Sequence, residues 1–153
     1  MNAIELDSQI KATFKKYFPN GFITSTRYAL GGGIHWTTGL IGEDKDIVSF
    51  IRQNDVLQLS FGIHDNVQYE STEEIQGKIV VEFVHNNFKT LPDEPHYAMK
   101  STKIPVRKIN NTPEKVIVAL DKYFKLTLEM IKAEAANNNL HGQDRIPQKY
   151  LDL

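Results

Sequence analysis

Five histidines have the greatest capacity for chemistry in this chain, and they are spread along its whole length. They are His35, His64, His85, His96 and His141. Imidazole binds zinc and transfers protons near neutral pH, so two or three of them could meet Asp65 or Glu82 in a metal site. However, no two lie four residues apart and there is no HExxH pattern. Surface or strand-paired histidines fit this spacing better, which makes a small metal-dependent hydrolase the third function that the sequence suggests.

Nucleophilic and acid–base catalysis have no motif here. The chain contains no cysteine, which excludes a thiol nucleophile, a thiolate zinc site and a disulfide framework. Its serines do not form a GxSxG elbow. Glu70, Glu73 and Glu74 lie in a polar segment, where a solvated charge run is expected rather than a buried acid–base pair. The sequence therefore predicts no catalytic residue, no bound metal and no cofactor.

Three consecutive glycines, Gly31 to Gly33, raise the question of phosphate binding. A dinucleotide fingerprint requires a strand, spaced glycines and then a helix whose N-terminus faces the phosphates. In this chain a second strand-like segment follows the glycines directly. Because glycine tolerates the positive φ of a tight reversal, the triplet predicts a hairpin turn.

A basic segment is the main candidate for binding a partner. Tyr97 precedes four cations with no acid between them, Lys100, Lys103, Arg107 and Lys108. Such a segment could follow a nucleic-acid backbone or meet an acidic protein face. Lysines on an edge strand also prevent association between sheets, so edge protection is the alternative.

The elements that would position these residues alternate between helix and strand patterns. Apolar residues recur at helical spacing from Ala3 to Phe18, and Asp7 or Ser8 could cap this helix, unless Ile4 and Leu6 extend it upstream. Strand patterns then cover residues 22–30, 34–38, 57–63, 79–84 and 96–108, with a short helix at 44–53 and a loop or edge hairpin at 64–76. Residues 86–95 have the composition of a loop. The last strand contains Pro105, which requires an edge or a bulge.

A long helix is predicted to close the fold. Thr112, Pro113 and Glu114 form a strong helix start, and an apolar stripe runs from Val116 to Ala135. Val118, Leu126 and Met130 lie off that stripe and could support a homodimer.

The predicted fold class is α+β: an antiparallel sheet of about five strands, with the N-terminal helix, the short helix and the long C-terminal helix packed against it. Residues 1–140 would form a single domain, followed by a polar tail at 141–153.

The composition fits this architecture. The chain has 153 residues, 41% of them hydrophobic and 24% charged, with a net charge of −1. This balance predicts an ordered domain and gives no overall attraction to DNA. No signal-peptide pattern and no span of about 20 apolar residues is present, so a cytoplasmic protein without membrane contact is expected.

One segment, Ile10 to Leu40, resembles a known family. It contains a lysine-rich amphipathic helix, Phe18-Pro19, a strand, an aromatic residue followed by glycines, and a second strand carrying Trp36. These features are similar to the twenty-ninth type of large polyvalent protein-associated domain, which occurs in proteins of phages and conjugative elements. The resemblance extends over residues 8–66. Members often have serines at the position of the third glycine, and the family brings no catalytic residues to carry over.

The resemblance implies an origin in mobile DNA, whose polyvalent proteins are thought to counter host defences. The first function is therefore a non-enzymatic inhibitor, similar to an anti-CRISPR, that binds a host defence protein or ribonucleoprotein complex. The alternative is a nucleic-acid-binding accessory module that uses the basic segment.

Overall fold

The computed structural model describes residues 1–27, 32–39, 57–63, 67–90, 99–103 and 107–136. Within these ranges the chain forms two helices and six strands. In chain order they are α1 (Ala3–Tyr17), β1 (Phe22–Arg27), β2 (Ile34–Gly39), β3 (Leu57–Ile63), β4 (Ile79–Thr90), β5 (Met99–Lys103), β6 (Arg107–Asn111) and α2 (Pro113–Ala136). The strands pair as one antiparallel sheet in the order β1-β2-β3-β4-β5, and β6 also pairs with β4. The predicted α+β class is confirmed.

Helix α1 starts upstream of the predicted caps. Asn2 and Glu5 form a capping box, in which each side chain accepts a hydrogen bond from the other residue's backbone N–H at 2.9 Å. The helix begins there because both donors would otherwise lack a partner. Of the two alternatives for this terminus, the upstream extension through Ile4 and Leu6 is therefore correct.

Strands β1 and β2 form the predicted hairpin. They pair from Phe22 opposite Gly39 to Arg27 opposite Ile34, so the glycine segment lies within the connection between them. Along β2, Ile34, Trp36 and Thr38 alternate onto one face and are fully buried. Trp36 therefore belongs to the core.

Strand β4 is longer than the sequence suggested. It continues to Thr90, so the predicted loop at 86–95 is wrong for residues 86–90. These residues are strand because β5 pairs with them, from Asn86 opposite Lys103 to Thr90 opposite Met99. The polar composition of residues 86–90 gave no indication of this pairing. Strand β4 lies inside the sheet, since β3 pairs with one of its edges and β5 and β6 with the other.

The predicted strand around Pro105 is divided into two segments, β5 and β6. Strand β4 pairs with β5 at Asn86–Lys103 and with β6 at Phe83–Arg107. Between these two pairs the sequence has two residues on the β4 side and three on the other side. The register therefore shifts by one residue between them, which is the count that a β-bulge accommodates. The proline was expected to require such an interruption.

Helix α2 starts where Thr112-Pro113-Glu114 predicted, since Val116 N–H donates to the Thr112 carbonyl at 2.9 Å. Its buried stripe packs with α1 and with the inner face of the sheet in a single core. The fully buried members of that core include Leu6, Ile10, Phe14, Ile63, Val81, Leu120 and Phe124.

Several predictions concern residues outside the described ranges. The short helix at 44–53 and the tail at 141–153 belong to this group. In the 64–76 segment, the described part from Val67 onward forms turns and a single bridge between Asn2 and Glu74, which agrees with the loop alternative. No described helix combines the length and hydropathy needed to cross a bilayer.

Candidate functional site

A cleft of about 400 Å³ opens between the first half of α1 and the turn at residues 67–70. One wall comes from α1, the buried side chain of Ile34 contributes the floor, and Tyr69 and Glu70 form the opposite wall. Its lining residues are Ala3, Ile4, Asp7, Lys11, Ile34, Tyr69 and Glu70. This volume lies at the small end of the range for ligand sites, which is about 300–1,000 Å³.

Asp7 lines the α1 side of the cleft and is fixed there by two neighbours. Its Oδ1 accepts a hydrogen bond from Nε1 of Trp36 at 2.8 Å, and its Oδ2 lies 2.9 Å from Nζ of Lys11. The second contact joins residues four apart on one helix face. Because both carboxylate oxygens are engaged, Asp7 joins α1 to β2 and offsets the positive charge of Lys11.

The opposite wall overlaps a four-residue β-turn, Gln68 to Ser71, that has an unusual backbone. Ser71 N–H donates to the Gln68 carbonyl at 3.1 Å, and the third residue of the turn, Glu70, has a φ of 59°. A type II turn has this arrangement and favours glycine at the third position. A non-glycine residue there costs about 1–2 kcal/mol. Glu70 therefore occupies a position that sterics alone would assign to glycine.

Gly32 holds this turn in place through a backbone hydrogen bond. Tyr69 N–H donates to the Gly32 carbonyl at 3.2 Å. Gly32 itself has a φ of 82°, and a Cβ at this position would collide with the amide oxygen of Gln68 and lie 3.1 Å from its Cδ. A side chain at residue 32 would therefore require the Gln68 side chain to move away.

Two polar groups of the cleft remain available to a ligand. Among the described residues, neither the Tyr69 hydroxyl nor the Glu70 carboxylate has a hydrogen-bond or ion-pair partner. Tyr69 is half-buried and packs against the core, whereas Glu70 is exposed. The partly exposed apolar side chain of Ile4 lines the cleft beside them.

The predicted basic segment lies at an edge of the described sheet. Lys100 and Lys103 belong to β5, and Arg107 and Lys108 belong to β6. Tyr97 lies outside the described residues. The edge location agrees with the edge-protection alternative, and binding of a partner or nucleic acid by these residues stays a prediction.

The register gives each of the four positions its partner on β4. Lys103 pairs with Asn86 and Lys108 with Glu82, whereas Lys100 pairs with Lys89 and Arg107 with Phe83.

Lys108 also has an acidic neighbour that is distant in the sequence. Its Nζ lies 2.8 Å from Oε1 of Glu82, directly across the strand pair. Lys108 is therefore partly neutralised, which weakens its attraction for a phosphate backbone.

The histidines and the acidic run offer no further assembly within the described chain. No group of three metal-ligating side chains occurs in the ranges searched, and of the histidines only His35 and His85 lie in described strands. Glu70, Glu73 and Glu74 are all exposed, as a solvated run would be. Glu74 is nevertheless engaged, because it binds the amino group of Met1.

Sequence reasoning missed the cleft because its residues come from distant positions with no shared motif. Asp7 appeared only as a candidate helix cap, and Glu70 only as one acid among three. The one available signal was Tyr69, an aromatic residue in an otherwise polar segment.

Comparison with protein-family models, with curated proteins and with solved structures found no match for this chain.

Proposed function

We propose that this protein is a non-enzymatic inhibitor from a phage or another mobile element. It binds a host defence complex, such as a CRISPR effector, and blocks that complex by covering part of its surface. The cleft between α1 and the 67–70 turn is the observation that supports the binding part of this proposal. The resemblance of Ile10 to Leu40 to a domain of mobile-element proteins supports the choice of partner.

The chemistry of the cleft favours binding over catalysis. A general acid or base must be held in a site while remaining available to the substrate. Both oxygens of Asp7 are engaged by Trp36 and Lys11, and Glu70 is exposed to solvent. By contrast, apolar side chains beside a few polar groups on a fixed scaffold are typical of recognition sites.

A plasmid-interference assay tests the proposal. Host cells carrying an active CRISPR effector receive a targeted plasmid, with or without expression of the protein. We expect transformation to be restored only when the protein is present. If no tested nuclease system is relieved, the proposed function is wrong.

Two matched surface variants locate the contact. Ile4 is 48% exposed and lines the cleft, whereas Val118 is 69% exposed on α2 and does not line it. We expect Ile4→Arg to abolish the protection and Val118→Arg to retain it. The reverse pattern would place the inhibitory surface on α2, where a homodimer contact was also predicted.

A further inference from the structure

We infer that the cleft between α1 and the 67–70 turn receives an arginine side chain of the partner protein, with Glu70 binding its guanidinium. This inference rests on the proposed function only for the identity of the partner. The recognition itself follows from the charge, shape and backbone of the cleft.

The charges of the lining select a cation. Asp7 and Lys11 form an ion pair at 2.9 Å and offset each other, which leaves the carboxylate of Glu70 as the uncompensated charge of the lining. A phosphate or carboxylate ligand would face this negative charge without a cation of its own to pair with. A guanidinium instead gains a charge-assisted hydrogen bond, which can be bidentate.

The interior suits the rest of an arginine side chain. Long basic side chains lay their methylene stems along apolar surface while the charged head stays near water. Ile4, which is 48% exposed, offers such a surface in the cleft, over the buried side chains of Ala3 and Ile34, and the exposed Glu70 lines the same cleft. The Tyr69 ring in the same wall can stack on the planar guanidinium, which favours arginine over lysine.

The backbone at Glu70 gives an independent reason to assign it a binding role. It has a φ of 59° at a turn position that favours glycine. Residues in sparsely populated backbone regions cluster at ligand-binding positions, where the surrounding structure holds the conformation. The inference therefore predicts opposite effects of Glu70→Gly: binding is lost, while the variant unfolds at no lower urea concentration than the unmodified protein.

The direct test is an NMR titration of the full chain with two short peptides. Both are glycine pentapeptides with blocked ends, and the central residue is arginine in one and citrulline, its neutral isostere, in the other. We expect saturable shifts of the Ile4, Tyr69 and Glu70 amides with the arginine peptide, weakened by salt. Equal binding of the citrulline peptide would overturn the inference.

A charge-matched pair of variants provides the control. Glu70→Gln and Glu73→Gln remove the same charge from exposed positions of one segment, but only Glu70 lines the cleft. We expect Glu70→Gln to weaken binding of the arginine peptide about two- to fivefold and Glu73→Gln to leave it nearly unchanged. If the two variants weakened binding equally, Glu70 would contribute only a general electrostatic attraction, and its assigned role would be overturned.

The interference assay separates this inference from the proposed function. If the unmodified protein binds the arginine peptide but relieves no defence system, the inference stands and the proposed function fails. If Glu70→Gln loses the peptide but still protects the plasmid, the inhibitor function stands and the cleft is not its contact.

Discussion

Asp7 is the residue on which the geometry of the cleft depends most directly. Its two oxygens contact Trp36, which is fully buried, and Lys11, which is partly exposed. These contacts differ in energetic weight. A buried donor that loses its acceptor costs about 1–3 kcal/mol. An exposed ion pair contributes about 0–1 kcal/mol.

This difference predicts a graded series of stabilities. We expect Asp7→Ala to lower the free energy of unfolding by about 1–3 kcal/mol, because Nε1 of Trp36 loses its acceptor. Asp7→Asn keeps an acceptor, so its loss should be smaller. Lys11→Ala should change stability by about 0.5 kcal/mol or less. Urea unfolding followed by Trp36 fluorescence measures all three, since this is the chain's single tryptophan.

A larger loss for Lys11→Ala than for Asp7→Ala would contradict this ranking. It would mean that the ion pair, rather than the indole hydrogen bond, holds α1 against β2.

At the scale of elements, two glycines with positive φ separate backbone strain from steric contact. Gly77 has a φ of 70° with nothing within 4 Å of an added Cβ, whereas Gly32 has a φ of 82° and a Cβ there would collide with Gln68. Both positions carry the backbone penalty of an alanine, but only one carries a collision.

We therefore expect Gly77→Ala to cost about 1 kcal/mol, from the left-handed backbone alone. Gly32→Ala should cost more, because the Gln68 side chain must also move away from the added methyl group. The amide shifts of Tyr69 and Glu70 should change in Gly32→Ala and not in Gly77→Ala. Equal costs with unchanged shifts at the turn would show that the Gln68 side chain yields freely.

Which elements could be predicted follows from the range of the interactions that form them. Both helices could be predicted, since their apolar periodicity is a local pattern. It is formed by Leu6, Ile10 and Phe14 in α1 and by Val116 and Leu120 in α2. The end of β4 at Thr90 could not be predicted, because polar residues 86–90 become strand only through pairing with β5. The cleft depends on contacts of longer range still, between α1 and a turn about sixty residues away.

At the scale of the whole molecule, the two helices that begin and end the described chain are joined by a polar contact. Asp121 of α2 accepts hydrogen bonds from Nζ of Lys16 at 2.9 Å and from the Tyr17 hydroxyl at 2.8 Å. The Phe14 and Phe124 rings of the same two helices pack edge to face, with their centroids 5.4 Å apart. No sequence pattern links positions more than a hundred residues apart, so this contact was not predictable.

This contact makes the stability of the whole fold depend on pH at both extremes. The hydrogen bond from Lys16, and then that from Tyr17, lower the pKa of Asp121 below its ordinary value of 3.8. The same partnership with Asp121 raises the pKa of Lys16 above its ordinary 10.5. A carboxyl pKa that is lowered in the folded state stabilises the fold above pH 3.8, and this stabilisation is lost as the pH falls through the folded-state pKa. A lysine pKa that is raised in the folded state stabilises the fold below pH 10.5, and this stabilisation is lost as the pH rises through the folded-state pKa.

We therefore expect the stability difference between the unmodified protein and Asp121→Asn to be constant from about pH 5 to pH 9 and to shrink in acid. Glu129→Gln, which removes an exposed carboxylate from the same helix, is the control and should show no such dependence. Urea unfolding across this pH range measures both differences. A gap for Asp121→Asn that persists undiminished well below pH 3 would mean that the charge of Asp121 contributes nothing.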